Sequence, residues 1–170
     1  MRVLGIDPGT IRMGYGLVEE ADPPNAVDWG AVSLSSSLPL EERLYQLHSH
    51  VLNMISIWQP DAVAVEEPFV GRGENRFVSS AMAVGQAQAL VLIAAAGQAV
   101  PVSRYSPAQV KRSIANYGAA SKEQVQKMVR TVLDLEEVPQ PSDAADALAI
   151  ALCHLHQRHA EGVLDRRLER

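Results

Sequence analysis

Several features of secreted, membrane-bound or disordered proteins are missing from this sequence of 170 residues. It has one cysteine, Cys153, so no disulfide can form within the chain. Its first residues enter an apolar, strand-like segment directly, without a basic and then apolar secretion signal. The most apolar segment, 87–99, is interrupted by Gln88 and Gly97 and is too short to cross a bilayer as a helix. We therefore expect a cytoplasmic protein that makes no membrane contact.

Internal repeats and long polar stretches are also missing. Hydrophobic residues make up 47% of the chain and charged residues 21%, a composition that supports a buried core and argues against disorder. A chain of this length normally forms one domain. We expect a single domain over residues 1–160 and a flexible C-terminal tail at 161–170.

Positive charge is scarce overall, since the formal net charge is -5. Domains that bind polyanions are usually basic, so this value alone argues against a nucleic-acid partner. The charge is unevenly distributed, however. Six Lys or Arg residues and one acid lie between Arg104 and Arg130, whereas nine acids outnumber three arginines between Met1 and Glu66. This asymmetry predicts one basic surface that faces phosphates.

The hydrophobic pattern changes along the chain as expected for an α/β domain. Three strand patterns come first, at 2–7, 14–20 and 26–34. An amphipathic helix, a buried strand, a polar loop, a long helix and a short strand follow, at 39–58, 62–65, 71–76, 78–98 and 100–104. Two short helices capped by Ser106 and Ser121 then flank Gly118, and a last helix begins near Ser142. This order predicts a mixed five-stranded sheet flanked by helices, which is ribonuclease-H-like topology.

Four acidic residues lie where these predicted elements begin or end. Asp7 and Glu66 end two strands, while Asp143 and Asp146 share one face at the start of the last helix. Simpler interpretations exist, because Asp7 before Pro8-Gly9 is a turn former and acids in a first helical turn complement the helix dipole. If the four carboxylates converge, they need cations, and oxygen ligands suit Mg²⁺ or Mn²⁺. Two such ions about 4 Å apart favour phosphodiester hydrolysis.

Six short segments, spread over nearly the whole chain, share a specific order and spacing. They read GIDPG at 5–9, GYG at 14–16, VE at 65–66, GQA at 85–87, QVK at 109–111 and DAADALA at 143–149. This pattern resembles the family of RuvC-type Holliday-junction resolvases. The resemblance implies a homodimer that binds four-way DNA junctions and makes paired, symmetric nicks during recombination and repair. It also implies the branch-migration proteins RuvA and RuvB as partners.

The same resemblance assigns roles to individual residues. Asp7, Glu66, Asp143 and Asp146 match the catalytic carboxylates that bind the metal, and we count Lys122 as a fifth catalytic residue. A second acid, Glu67, follows Glu66 where many relatives carry glutamine, and we expect Glu66 to be the metal ligand.

DNA contacts are assigned by resemblance and by charge. Lys111 and Lys122 match basic residues near the DNA backbone, and Phe69 matches an aromatic residue that contacts bases at the junction centre. An aromatic side chain on a polar loop suits stacking on unpaired bases, although it can also anchor the loop on the core. Further contacts are expected from basic residues of the same surface: Arg72, Arg76 and Arg112. The loop at 71–76 is longer than in familiar members, and Gln88 occupies a position where arginine is common.

Two other functions share parts of this pattern. The segment Asp7-Pro8-Gly9-Thr10 also resembles the phosphate loop of nucleotide-binding ATPases and kinases related to actin, but those proteins need two lobes and this chain has one. A non-catalytic junction-binding module would keep the basic segment and should have lost one of the acids.

The long helix at 78–98 bears on the oligomeric state. Its apolar residues spread around most of its circumference, so a single sheet cannot cover them all. We expect a two-fold symmetric homodimer with this helix at the interface. The alternative is the central core helix of a monomer.

Overall fold

The structure is a computed structural model that describes the backbone of residues 1–68 and 75–168 and the side chains of residues 1–68 and 81–162. Within these ranges, five strands form one mixed sheet. They are β1 (Arg2–Asp7), β2 (Arg12–Glu19), β3 (Asn25–Ser33), β4 (Ala62–Glu66) and β5 (Val102–Tyr105). The order across the sheet is β3-β2-β1-β4-β5. Neighbours among β1, β2 and β3 are antiparallel, whereas β4 runs parallel to both β1 and β5.

Helices cover both faces of this sheet. They are α1 (Leu40–Trp58), α2 (Asn75–Gly97), α3 (Pro107–Ala115), α4 (Lys122–Val132) and α5 (Ser142–Leu168). Successive side chains of β1 point to opposite faces, so Leu4 and Ile6 pack with α1 and α2 while Val3 packs with α3, α4 and α5. The predicted ribonuclease-H-like sheet flanked by helices is therefore confirmed. None of the helices in the described ranges is both long and apolar enough to span a membrane.

Most predicted boundaries lie within two residues of the observed ones, and two segments differ more. Helix α2 already begins at Asn75, so the final two positions of the predicted loop at 71–76 are helical, and positions 71–74 lie outside the described residues. Helix α5 continues to Leu168, so the segment expected to form a C-terminal tail is helical over residues 161–168; its flexibility stays a prediction. Strong helix formers continue beyond that point without a proline, and a single glycine, Gly162, does not end the helix. That residues 1–160 form one domain stays a prediction.

Helix α5 lies directly on β1 and β2 because two strand residues have no side chain. A Cβ atom at Gly5 would overlap the carbonyl oxygen of Ala147, and one at Gly14 would overlap that of Asp143. Gly14 also pairs with Asp7 across the β1–β2 ladder. The first turn of α5 is thereby held against the carboxyl end of β1.

Candidate active site

Two of the predicted carboxylates end neighbouring parallel strands. Ile6 of β1 pairs with Val65 of β4, so the next residues, Asp7 and Glu66, lie side by side at the same edge of the sheet. Asp143 and Asp146 come from the first turns of α5, which packs over Gly14 beside Asp7. Two strand ends and one helix start therefore meet at this edge, as predicted; that their four carboxylates form one metal site stays a prediction.

A cleft of about 210 Å³ opens at this edge. Three carboxylates, Asp7, Glu66 and Asp146, line it together with Lys111 and Lys122. The remaining lining is mostly apolar and comes from α3, α4 and α5: Pro107, Val110, Val125 and Ala149. Apolar walls keep water away from the charges and so strengthen the interactions between them.

The carboxylates carry more negative charge than their surroundings balance. Burial raises the pKa of Asp7 to about 8, and the negative charges of Glu66, Asp146 and Asp143 add to this effect. The pKa of Glu66 rises to about 7 because of burial and the charge of Asp146. Burial also raises the pKa of Asp146, against the hydrogen bond it accepts from Lys122. Such a cluster is stabilised by added positive charge.

Two cationic side chains contact the carboxylates on α5. Lys122 Nζ lies 2.5 Å from Asp146 Oδ2. Burial alone lowers the pKa of Lys122, but the hydrogen bond to Asp146 and the surrounding negative charge together raise it. Arg12 NH1 lies 3.6 Å from Asp143 Oδ2, and Arg12 Nε donates a hydrogen bond of 3.3 Å to Ser33 Oγ.

The donor set fits a hard divalent cation in its chemistry. Carboxylate oxygens are the ligands that Mg²⁺ and Mn²⁺ prefer, and the raised pKa of Asp7 reflects negative charge that a cation would neutralise. Among the side chains that the structure describes, no three His, Cys, Asp or Glu groups surround one point as metal ligands do. Instead, the ammonium group of Lys122 lies beside Asp146 and the guanidinium group of Arg12 lies beside Asp143.

The predicted basic residues do not all reach the cleft. Lys111 of α3 and Lys122 of α4 line it. Both helices begin where predicted, α3 after the Ser106 N-cap with Pro107 at its first position and α4 after the capping box at Ser121. Arg112 points away from it, into a separate groove between α3 and α5.

The remaining predicted positions stay untested or are only partly visible. Phe69 and Arg72 lie outside the described residues. Arg76 lies in the first turn of α2, but its side chain is not among those that the structure describes. Of the two adjacent acids, Glu66 lines the cleft, whereas Glu67 is not part of its described lining.

Two residues next to the carboxylates were not predicted to act there. Gln88 of α2 is 8% exposed, and its Nε2 donates a hydrogen bond of 2.9 Å to the carbonyl oxygen of Glu66. The sequence marks Gln88 only as a departure from the family pattern. Arg12 contacts Asp143, and no local pattern could have indicated this, because the contact depends on the packing of α5 against β2 over Gly14.

Known structures share this fold. The structure described as T. thermophilus RuvC in complex with Holliday junction substrate superposes with a TM-score of 0.86 at 41% identity, covering 95% of this chain and 96% of that one. The yeast mitochondrial Holliday junction resolvase has a TM-score of 0.64 at 15% identity. This second similarity extends to the fold alone.

Sequence comparison points to the same family. Its model, described as crossover junction endodeoxyribonuclease RuvC, matches residues 3–154. The protein of that name from Dehalococcoides mccartyi is 48% identical over 159 residues, which are 93% of this chain and 93% of that protein. The one from Thermomicrobium roseum is 46% identical over 160 residues, 94% of this chain and 96% of that protein. The chain therefore belongs to the RuvC family of crossover junction endodeoxyribonucleases.

Proposed function

We propose that this protein resolves four-way DNA junctions by paired, symmetric hydrolysis of two phosphodiester bonds during recombination and repair. One observation carries the proposal: three carboxylates with raised pKa values share a partly apolar cleft with two lysines. The carboxylates suit cations, and the lysines suit the phosphates of the DNA backbone. The similar structure of T. thermophilus RuvC with its junction substrate supports this choice of substrate.

Membership of this nuclease family implies dependence on a divalent metal ion. We infer that Asp7, Glu66, Asp143 and Asp146 hold two Mg²⁺ or Mn²⁺ ions per active site. Ions bound there would lower the pKa of the attacking water and neutralise the charge that develops on the phosphate.

The positions of the carboxylates on regular elements suit this role. Asp7 pairs with Gly14 in the β1–β2 ladder and Glu66 pairs with Tyr105 in the β4–β5 ladder. The hydrogen bond from Gln88 also holds the backbone of Glu66. Asp143 and Asp146 are fixed by the packing of α5 on Gly14. Ligands held on strands and a helix keep their geometry better than ligands on loops.

We assign Lys122 a catalytic role beside these carboxylates. In hydrolysis the water oxygen bonds to phosphorus, the bond from phosphorus to one sugar oxygen breaks, and that oxygen takes up a proton. The ammonium group of Lys122, now 2.5 Å from Asp146, lies near enough to turn toward the phosphate and stabilise the charge that develops there. Its side chain is 53% exposed, so this movement is not prevented by packing.

Backbone and base contacts complete the proposed DNA site. Lys111 and Lys122 would bind phosphates at the cleft, while Arg72, Arg76 and Arg112 would extend the basic surface beyond it. Phe69 would stack on bases at the junction centre. Phosphate contacts of this kind orient the DNA without reading its sequence.

A homodimer would provide two such sites for two symmetric cuts. The inner face of α2 is buried, but Met82 and Ile93 are 63% and 64% exposed. They lie eleven positions apart, which is close to three full helical turns, so they belong to one stripe. We propose that this stripe packs against its copy about a two-fold axis. We also propose RuvA and RuvB as partners and a cytoplasmic location.

A cleavage assay tests the function. A synthetic four-way junction with Mg²⁺ or Mn²⁺ should be cut at two symmetric positions, while linear duplex DNA of the same sequence remains intact. Asp146→Asn should abolish cutting and leave junction binding largely intact, because the lysines supply most of the binding. Absence of cleavage by the wild-type protein would contradict the proposal. ATP hydrolysis would then support the ATPase alternative, and binding without either reaction would support a non-catalytic module.

A further inference from the structure

Arg12 lies at the edge of the carboxylate cluster, outside the cleft. It is the first residue of β2 and alternates with Gly14 and Gly16, whose backbones face α5 at Asp143 and Leu148. The glycines leave room for the helix, and Arg12 is the next side chain in this row. Its guanidinium group therefore reaches the start of α5 and contacts Asp143.

This contact is too weak to serve mainly as a stabilising ion pair. Arg12 NH1 lies 3.6 Å from Asp143 Oδ2, and the arginine side chain is 53% exposed. Exposed ion pairs with such geometry add little to protein stability, because solvent screens the attraction and ordering the side chains costs entropy. Because the pair is loose and exposed, the guanidinium group of Arg12 remains accessible to an anionic ligand.

Cations flank the carboxylates on two sides. On one side are Lys111 of α3 and Lys122 of α4. Their positive charges oppose the rise in the pKa values of Glu66 and Asp146. Arg12 comes from the β2–β3 side of the sheet and contacts Asp143. A DNA strand whose scissile phosphate lies over the carboxylates has further phosphates on both sides of it, so positive charge on both sides matches the charge of the strand.

The guanidinium group has enough donors for two tasks. It carries five N–H donors in one plane. Nε donates to Ser33 Oγ and NH1 faces Asp143, and the exposed remainder can bind a phosphate in the planar geometry that arginine favours. Lysine carries its three donors on one nitrogen at the end of a flexible stem, so it cannot reproduce contacts that Arg12 makes with two separate nitrogens.

We propose that Arg12 is a positioning and phosphate-contacting residue that orients Asp143 and binds the strand on the side opposite Lys111 and Lys122. This inference rests on the proposed function, because it takes junction DNA as the ligand. Its contribution should therefore be visible both in DNA binding and in the rate of cutting.

The test compares Arg12→Ala, Arg12→Lys and a matched control, Arg158→Ala. Arg158 is an exposed arginine on α5 that pairs with Glu161 at 3.2 Å, far along the helix from Asp143. Junction binding is measured over a range of salt concentrations with EDTA and no divalent metal. Cutting is measured in Mg²⁺ at saturating protein, and thermal unfolding checks the fold of each variant.

The three variants should behave differently. Arg12→Ala should lower the slope of log affinity against log salt by about one and slow cutting at saturation by about 10- to 100-fold, as expected for a displaced catalytic group. Arg12→Lys should restore the salt slope and leave cutting slow. Arg158→Ala should match the wild type in both measurements, and all variants should unfold within about 2 °C of it.

Two results would overturn the inference. An unchanged salt slope in Arg12→Ala would exclude the phosphate contact, and wild-type cutting by Arg12→Lys would exclude the need to orient Asp143. Failure of the proposed function is distinguishable from both, since the wild-type protein would then cut no junction at all. The salt slope would still decide the role of Arg12 in binding.

Discussion

Replacing Asp7 by asparagine should stabilise the metal-free protein while it removes a residue proposed to be catalytic. Asp7 has a pKa near 8 in the folded protein, against an ordinary value of 3.8. Between these pH values the folded chain keeps a proton that the unfolded chain has released. The free energy of unfolding therefore falls as the pH rises from about 4 to about 8.

The size of the effect follows from the difference in pKa. Each pKa unit corresponds to about 1.4 kcal/mol, so keeping Asp7 in its site costs the folded state about 5 kcal/mol by pH 8. Asparagine has nearly the same shape and no charge, but its amide must still be desolvated and it loses the attraction of Lys122. We expect a net gain of about 2 to 4 kcal/mol at pH 8, which falls to about 1 kcal/mol or less at pH 5.

Urea denaturation with EDTA at both pH values measures this gain. In thermal unfolding, about 2 to 4 kcal/mol corresponds to a rise of about 5 to 15 °C for a chain of this length. Asp22→Asn is a matched control, because Asp22 is exposed in the bend between β2 and β3 and its replacement should change stability by at most about 0.5 kcal/mol. Addition of Mg²⁺ should stabilise the wild type by binding the folded state and should stabilise Asp7→Asn much less.

The pH dependence is the decisive observation. If the free energies of unfolding of Asp7→Asn and the wild type differ by the same amount at pH 5 and pH 8, ionisation of Asp7 does not destabilise the folded protein. The electrostatic argument for a cation site at Asp7 then fails. The argument would also be refuted if Asp7→Asn were less stable than the wild type at pH 8.

Other changes should separate binding, stacking and assembly. Lys111→Ala should weaken junction binding for all sequences alike and lower the salt slope by about one; an unchanged slope in filter binding would rule out its phosphate contact. Phe69→Ala should impair junction cutting at little cost in stability, whereas a loss of about 3 kcal/mol or more in urea denaturation would indicate a core residue. Ile93→Asp should convert the dimer to monomer in sedimentation at micromolar concentration, while Ile57→Asp, at a 76% exposed position on α1, should not; a monomeric wild type would contradict the dimer.

Much of this fold and site could be predicted from local patterns. The apolar runs that end at Asp7 and Glu66 place each carboxylate at a strand terminus, because alternation of side chains and the change to polar residues are local properties. The Ser106 N-cap before Pro107 and the capping box at Ser121 likewise predict where α3 and α4 begin. The spacing of Asp143 and Asp146 puts both on one helix face.

Contacts between distant segments required the tertiary structure. The sequence marks Lys122 as basic, but only the packing of α4 beside α5 brings its ammonium group to Asp146. Arg12 meets Asp143 because α5 approaches β2 over Gly14. The raised pKa of Asp7 depends on burial and on three other carboxylates. Each of these features depends on strand register and on the close approach of elements, which no local pattern encodes. Side-chain spacing determines which face of an element a residue occupies, but only tertiary packing determines which residues lie beside it.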